Sequence, residues 1–505
     1  MFNFLDFGNS VMSKINNIIT EGAKSRMTDK QFLEREIARF KKSLKRKDMI
    51  AGEKYYNGDH EILKRKRTVI GEDGLLQEVE NLPNNKVIDN QYAKLVDQKV
   101  NYLLAKPPTF ETENDAYAKM LQDIFNNRFL RTFKNLGEDS LNNGIAWLHP
   151  YYNELGEFCF KKFEPYEILP FWQDAEHTIL EFAVRIYEIE AYEGIRETII
   201  EKVEVYDTNG IHRFILQNTA LIPDVEQPST TYLVAVDEEG KEQGWNWAKV
   251  PLIPFKYNNK EIPLIKRVKS LQDGINTILS DFQNNMQEDA RNTILVLQNY
   301  DGTNLGEFRR NLAQYGAVKV KTVDGASGDL KTLTITINAE NYKSILELFK
   351  KALIENGRGY DAKDDRMSGN PNQMNIQSMY SDIDLDANGI ETEFQASFEE
   401  LLWFVNIHLA NTGKGDFEKE KVKVIFNRDV LVNESESIDN CSKSVGILSN
   451  ETIVGQHPWT SDTTIELERI KEEKQTEMDE YANAFPKPLS GSSSNLGGGS
   501  GGGKE

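Results

Sequence analysis

The sequence predicts an α+β protein of several sub-domains. Three observations carry that prediction: 505 residues exceed what one compact core accommodates, β-rich runs dominate the middle third, and long stripes of helical period follow residue 264. Hydrophobic residues at 39% and charged residues at 28% supply enough apolar surface for buried cores.

From about Asp29 to Arg67 the chain is basic and helical in tendency, with Lys41, Lys42, Lys45, Arg46 and Lys47, then Lys64, Arg65, Lys66 and Arg67. Two readings are open, a solvated helix face, which is favoured, and a nucleic-acid patch. Tyr55, Tyr56, Asn57 and Gly58 predict a helix end. Leu82 to Lys106 carries an amphipathic pattern, with Val87, Ile88, Tyr92, Leu95, Val96, Val100 and Leu103 at helical spacing before Pro107 and Pro108. From Ile145 to about Thr231, short β-rich runs alternate with Gly, Asp and Asn turns, which predicts antiparallel sheet.

After VPLIPF the period changes. Val268, Leu271, Ile275, Ile278, Phe282 and Met286 step by three or four, predicting a helix over 264–290, roughly 40 Å long. The apolar runs ILVL and VKVKTV, on either side of a short helix near Leu305 to Gln314, predict a small α/β insert over 291–338. A second helix over 339–356 places Tyr342, Ile345, Phe349 and Ala352 on one face, with Asn338 as its cap. Gly357 to Gln373 is a polar loop. A third helix, from Ile376 to about Ala410, would exceed about 50 Å and kink at Gly389. A strand at Val422 to Phe426 precedes a helical region from Glu436 to Ala484, and the Gly/Ser-rich tail from Ser490 reads as flexible.

A net charge of -20 argues against gripping nucleic acid by broad phosphate neutralisation; equally, it keeps a large assembly soluble. The two cysteines, Cys159 and Cys441, form no CxxC pattern, so neither a disulfide framework nor a zinc site is expected, and a reducing cytoplasmic setting fits. The N-terminal stretch is interrupted by polar residues, so no signal peptide and no membrane span are expected. There is no GxxxxGK[ST] loop for a nucleoside triphosphate, no GxSxG elbow, and no HExxH spacing among His60, His149, His177, His212, His408 and His457. Asp384, Asp386, Asn388 and Gly389 match the first half of a calcium loop, but the closing position holds Gln395, so a solvated helix is the expectation. Asp361, Asp364 and Asp365 could hold magnesium for nuclease chemistry, yet Lys363 and Arg366 between and beside them favour a mixed-charge loop. No catalytic residue, cofactor or metal is expected.

The order long helix, small insert, helix, polar loop, very long helix resembles the portal proteins of siphovirus-type bacteriophages. YYNGDHEILKRKR (55–67), NNKVIDNQYAKLVDQKVNYLLAKPPTF (84–110), NNGIAWLHPYYNELGEFCFKKFEPYEILPFW (142–172) and VPLIPFKYNN (250–259) are similar to stretches of that family. The resemblance implies a β-rich wing at 1–263 and 411–440, a two-helix stem at 264–290 and 339–357, and a clip at 291–338. It further implies a tunnel loop at 358–375, a long wing helix at 376–410, a helical crown at 441–485 and a free tail at 486–505. Stem packing would fall to Val268, Leu271, Ile275, Ile278, Phe282, Tyr342, Ile345 and Phe349. Lys363, Arg366, Asn370, Asn372 and Gln373 become candidates for touching the DNA backbone, and Tyr300, Asp301, Glu307, Arg309 and Arg310 for docking a partner.

The implied protein is not an enzyme. It would be a dodecameric ring at the portal vertex of the virion, assembled in the host cytoplasm, through which double-stranded DNA passes without sequence specificity. Its implied partners are the large terminase subunit, the major capsid and scaffolding proteins and a head-completion adaptor, with no membrane. Two other readings stand beside this one, a capsid-associated structural oligomer that does not conduct DNA and a metal-dependent nuclease.

Overall fold

The structure, a computed structural model, describes residues 29–484 apart from 71–73, 81, 194–195, 237–241, 290–293, 299–303, 316–319, 324, 326–328, 334–338, 362–372, 429–433 and 461–462. The chain divides into two units, residues 1–362 with 379–429, and residues 363–378 with 430–505. Helices and antiparallel sheets are both abundant, as an α+β fold requires.

The first unit begins with α1 (Asp29–Lys42), whose Leu33, Ile37 and Phe40 recur at steps of four and three and are buried on a sheet. Helix α2 (Leu44–Tyr56) starts where the Ser43 side chain accepts from the Arg46 amide at 3.1 Å and ends at Asn57 and Gly58, where the sequence placed its stop. Helix α3 spans Gln91–Leu104, shorter than the expected 82–106. Asn90 caps it by accepting from the Ala93 amide at 3.0 Å, and residues 82–90 are not helical, the amides of Asn85, Val87 and Asp89 going to side chains further along the chain. Val87 and Ile88 therefore imitate helical spacing without being helical. After β3 (Thr109–Glu111) come α4 (Asp115–Ile124) and α5 (Asn127–Asn143), capped by Asn114 and Asn126. Gly144 ends α5 at φ +83, and a Cβ there would strike the backbone of Glu261, so glycine is required.

The expected antiparallel sheet is two sheets. One has the order β13-β4-β5, from Ile253–Lys256, Ile145–Tyr152 and Phe158–Phe163. The other has the order β10-β9-β8-β7-β6, from Ala220–Pro223, Gly210–Gln217, Arg196–Asp207, Leu180–Glu193 and Ile168–Trp172. Each sheet is antiparallel throughout. Trp147, Ile145, Leu252 and Met49 are buried with Ala183 and Tyr206 in one core.

Helix α6 (Ile265–Asp289) and helix α8 (Ala339–Asn356) bracket the insert, as expected. Asn338, the expected cap, lies outside the described residues. Within the insert, β14 (Ile294–Gln298) precedes α7 (Leu305–Tyr315) and pairs antiparallel with β15 (Asp329–Leu333).

Helix α9 (Gln373–Asn411) is uninterrupted through Gly389 over 39 residues. Its Phe394 and Phe398 meet Phe133 of α5, Phe255 of β13 and Phe426 beyond β16 (Lys423–Ile425), with ring centroids 5.1 to 6.4 Å apart. Strand β16 pairs with β3. In the second unit, α10 (Glu434–Lys443), α11 (Asn450–Gln456) and α12 (Thr463–Ala484) fill the region expected to be helical. The buried Cys441 thiol faces the Ile453 carbonyl at 3.8 Å.

Candidate functional site

The chain leaves α8 through a clamp built by α3. Gly357 and Gly359 are buried against Leu95, and a Cβ at either would collide with that side chain. Arg358 between them adopts φ +52, a left-handed conformation costly for a residue with a side chain. The Gln98 amide group donates to the Tyr360 carbonyl at 2.8 Å and accepts from its N–H at 3.1 Å, as a strand partner would. Tyr360 then packs tilted on Tyr380 at 4.6 Å, and Tyr380 stacks on Tyr102 at 5.6 Å.

Beneath the clamp lies Asp386, only 6% exposed. It accepts from Lys99 Nζ at 2.7 Å and Tyr257 Oη at 2.8 Å, while Arg267 and Arg358 approach to 3.5 Å. Lys99 also donates to the Arg358 carbonyl at 2.9 Å. Burial pulls the Lys99 ammonium below its ordinary pKa against the opposing pull of Asp386, and burial pushes Tyr257 up. Tyr102 donates to Asp384, which with Glu391 receives Arg428 at 2.8 Å. Asp384 and Asp386 thus sit on a helix and are engaged by cations of the same chain. Among the described residues no group of acids, histidines or cysteines is placed to hold a metal ion. This hub carries no nucleophile and base pair; it holds residues 358–360 against α3 and α9.

Lys363, Arg366, Asn370 and Asn372 lie outside the described residues, as do Asp364 and Asp365; Gln373 is described only as the first residue of α9. In the insert, Tyr300, Asp301 and the Arg309 side chain lie outside them too. Glu307 is half-buried, its amide donating to Asn304 Oδ1 at 2.8 Å, and Arg310 is exposed.

Helices α6 and α8 run antiparallel, with Phe282 on Tyr342 at 5.1 Å, Asn285 donating to the Tyr342 hydroxyl at 2.9 Å, and Gly274 beneath the Phe349 ring. Val268 and Ile275 are fully buried, and Leu271, Ile278 and Phe282 half-buried. Ile345 is a correction: it is 44% exposed in the single chain. The more covered face runs Tyr342, Leu346, Phe349 and Leu353, at steps of four, three and four, rather than through Ile345.

Sequence reasoning missed a second face of α6. Gln272, Asn276, Ser280 and Asn284, four residues apart and all fully buried, accept in turn from the backbone N–H of Tyr92 at 2.9 Å, Asp89 at 3.1 Å, Val87 at 2.9 Å and Asn85 at 2.7 Å. This ladder takes up the amides of Asn85, Val87 and Asp89, ahead of α3, and of Tyr92 in its first turn. Asn276 also meets the buried His60 ring at 2.7 Å. The signal was present as four amide or hydroxyl residues at spacing four on one helix. Much of the basic N-terminal run is likewise engaged inside the chain, Lys41 on Glu201, Arg65 on Asp281 and Lys66 on Glu78.

Similarity to known proteins extends over most of the chain. The family described as "Phage portal protein, SPP1 Gp6-like" matches residues 35–480. The portal protein of Bacillus phage SPP1 is 28% identical over 488 residues, covering 95% of this chain and 93% of that protein. The portal protein of Clostridium phage phiCD119 is 27% identical over 453 residues, covering 87% of this chain and 96% of its own length. A chain in a structure titled "Neck of native GTA particle computed with C12 symmetry" aligns with a TM-score of 0.37 and 11% identity, over 72% of this chain and 88% of that one.

Proposed function

This chain belongs to the SPP1 Gp6-like phage portal protein family, and from that premise we propose that twelve copies close into a ring at one capsid vertex, whose channel passes double-stranded DNA inward during packaging and outward during ejection. The observation that carries the proposal is the match of the family over residues 35–480, which takes in the helix α6, insert, helix α8, polar segment, helix α9 order.

In this reading α6 and α8 are the stem, and 291–338 is the clip on which the large terminase subunit docks first and a head-completion adaptor later. Residues 358–375 are the tunnel loop, 1–263 and 411–440 with α9 the wing, and 441–485 the crown, with capsid and scaffolding proteins as further partners. Lys363, Arg366, Asn370, Asn372 and Gln373 brush the phosphate backbone without reading bases, while Glu307 and Arg310 lie on the docking side. The Asp386 hub supports the loop assignment, since it holds residues 358–360, at the root of that segment, in place. The net charge of -20 supports a channel poor in fixed cations, in which phosphates are not held and the duplex slides both ways. The protein's work is passage and docking, not catalysis.

Native mass spectrometry of the purified chain tests the ring. Twelve subunits of 57.7 kDa give a species of roughly 690 kDa. Only monomers or dimers at micromolar concentration would refute it.

A further inference from the structure

In the five-stranded sheet, β9 pairs with β8 only as far as Lys202, and β6 pairs with β7 only as far as Arg185. Beyond the Tyr187–Lys202 row, β7 and β8 continue alone as a two-stranded ribbon to the Glu193–Arg196 row. The face that packs under α1 through Val184, Ile186, Val203 and Val205 continues along the ribbon as the rows Glu188–Glu201, Glu190–Ile199 and Tyr192–Glu197. Among the described residues that stretch has no cover, Tyr192 being 69% and Ile199 63% exposed. A lone ribbon is marginally stable, and like charges directly opposite one another weaken it further. Lys41 relieves Glu201 at 2.6 Å, but Glu188, Glu190 and Glu197 are exposed.

Helix α1 has the opposite character on its outer side. Arg35, Arg39 and Lys42, at steps of four and three, form one exposed basic stripe, and Leu44, 76% exposed, follows directly. A closed ring of identical subunits needs two different faces that fit each other. We propose that the acidic ribbon face of each subunit docks on the outer stripe of α1 of the next copy, Glu188, Glu190 and Glu197 meeting Arg35, Arg39 and Lys42, with Tyr192 and Ile199 seated beside Leu44. The inference rests on the ring reading and names one of the contacts that close the ring. Covering the ribbon with a neighbour's helix repeats, one step outward, what the chain's own α1 does for the rest of that sheet face.

Charge exchange tests it. One variant carries Glu188→Lys, Glu190→Lys and Glu197→Lys; a second carries Arg35→Glu, Arg39→Glu and Lys42→Glu. Each alone should raise the concentration for half-assembly by about tenfold or more at low salt, because every contact becomes a like-charge pair. Mixed in equal amounts, the two should again form rings, with the variants alternating, and a chain carrying all six changes should assemble by itself. Circular dichroism of each variant checks that it is folded. Rings from both single-face variants at wild-type concentration would overturn the proposal, as would folded variants whose mixture and six-fold combination both stay unassembled. Wild-type subunits that never assemble would instead refute the ring reading beneath it.

Discussion

Asp386 accepts from Lys99 and Tyr257 and lies near two arginines, all within reach of the chain's exit from α8. Removing one partner of a buried pair strands the other charge. Asp386→Ala should therefore lower the unfolding free energy by about 3–5 kcal/mol, while Lys99→Met with Asp386→Leu recovers much of it; urea titration of the three proteins checks this. His149 gives a pH dependence. Burial holds its pKa down at about 3, with its ring nitrogen on the Pro251 carbonyl. Below about pH 6.5 the unfolded chain binds a proton that the folded chain refuses until about pH 3, so stability is full above 6.5 and falls by about 1.4 kcal/mol per pH unit below it. Between pH 7.5 and 5, wild type should lose about 2 kcal/mol more than His149→Asn, measured by urea unfolding at both pH values. Single residues were the least legible scale in the sequence. Asp384 and Asp386 imitate a calcium loop and prove to be helix residues facing cations of α3 and the 428 turn, partners more than forty positions away that no local pattern reveals.

At the scale of elements, the helices around the insert were legible because a 3.6-residue period is a local property, and α6 and α8 fall within one or two residues of their expected bounds. The start of α3 was not, because it is decided by tertiary hydrogen bonds. Residues 82–90 stay out of the helix since α6 offers acceptors at every turn. Ser280→Ala removes one, leaving the Val87 N–H buried without a partner, and should cost about 1–3 kcal/mol. Amide hydrogen exchange of segment 85–92 should quicken markedly in that variant and stay slow in Ser280→Thr, which keeps the hydroxyl. Unchanged exchange in Ser280→Ala would mean that the ladder does not hold the segment. The exposure of Ile345 also belongs here: a stripe of period 3.6 identifies an apolar helix face, but two faces of α8 are apolar, and only packing shows that one of them turns to α6.

For the whole molecule, family and fold class were legible in the amino-acid order alone, because stretches spread from residue 55 to 259 carry the resemblance. Subunit contacts were not, since residues such as Glu190 and Arg39 look like ordinary solvated charges until the ribbon is seen without a cover. The central claim is a ring with an open channel. Electron microscopy of the purified chain, classified in end-on view, tests it most directly. Particles with twelvefold rotational symmetry around a central opening wide enough for a DNA duplex are the predicted result. Particles that are closed at the centre, or that remain single subunits at high concentration, would contradict it.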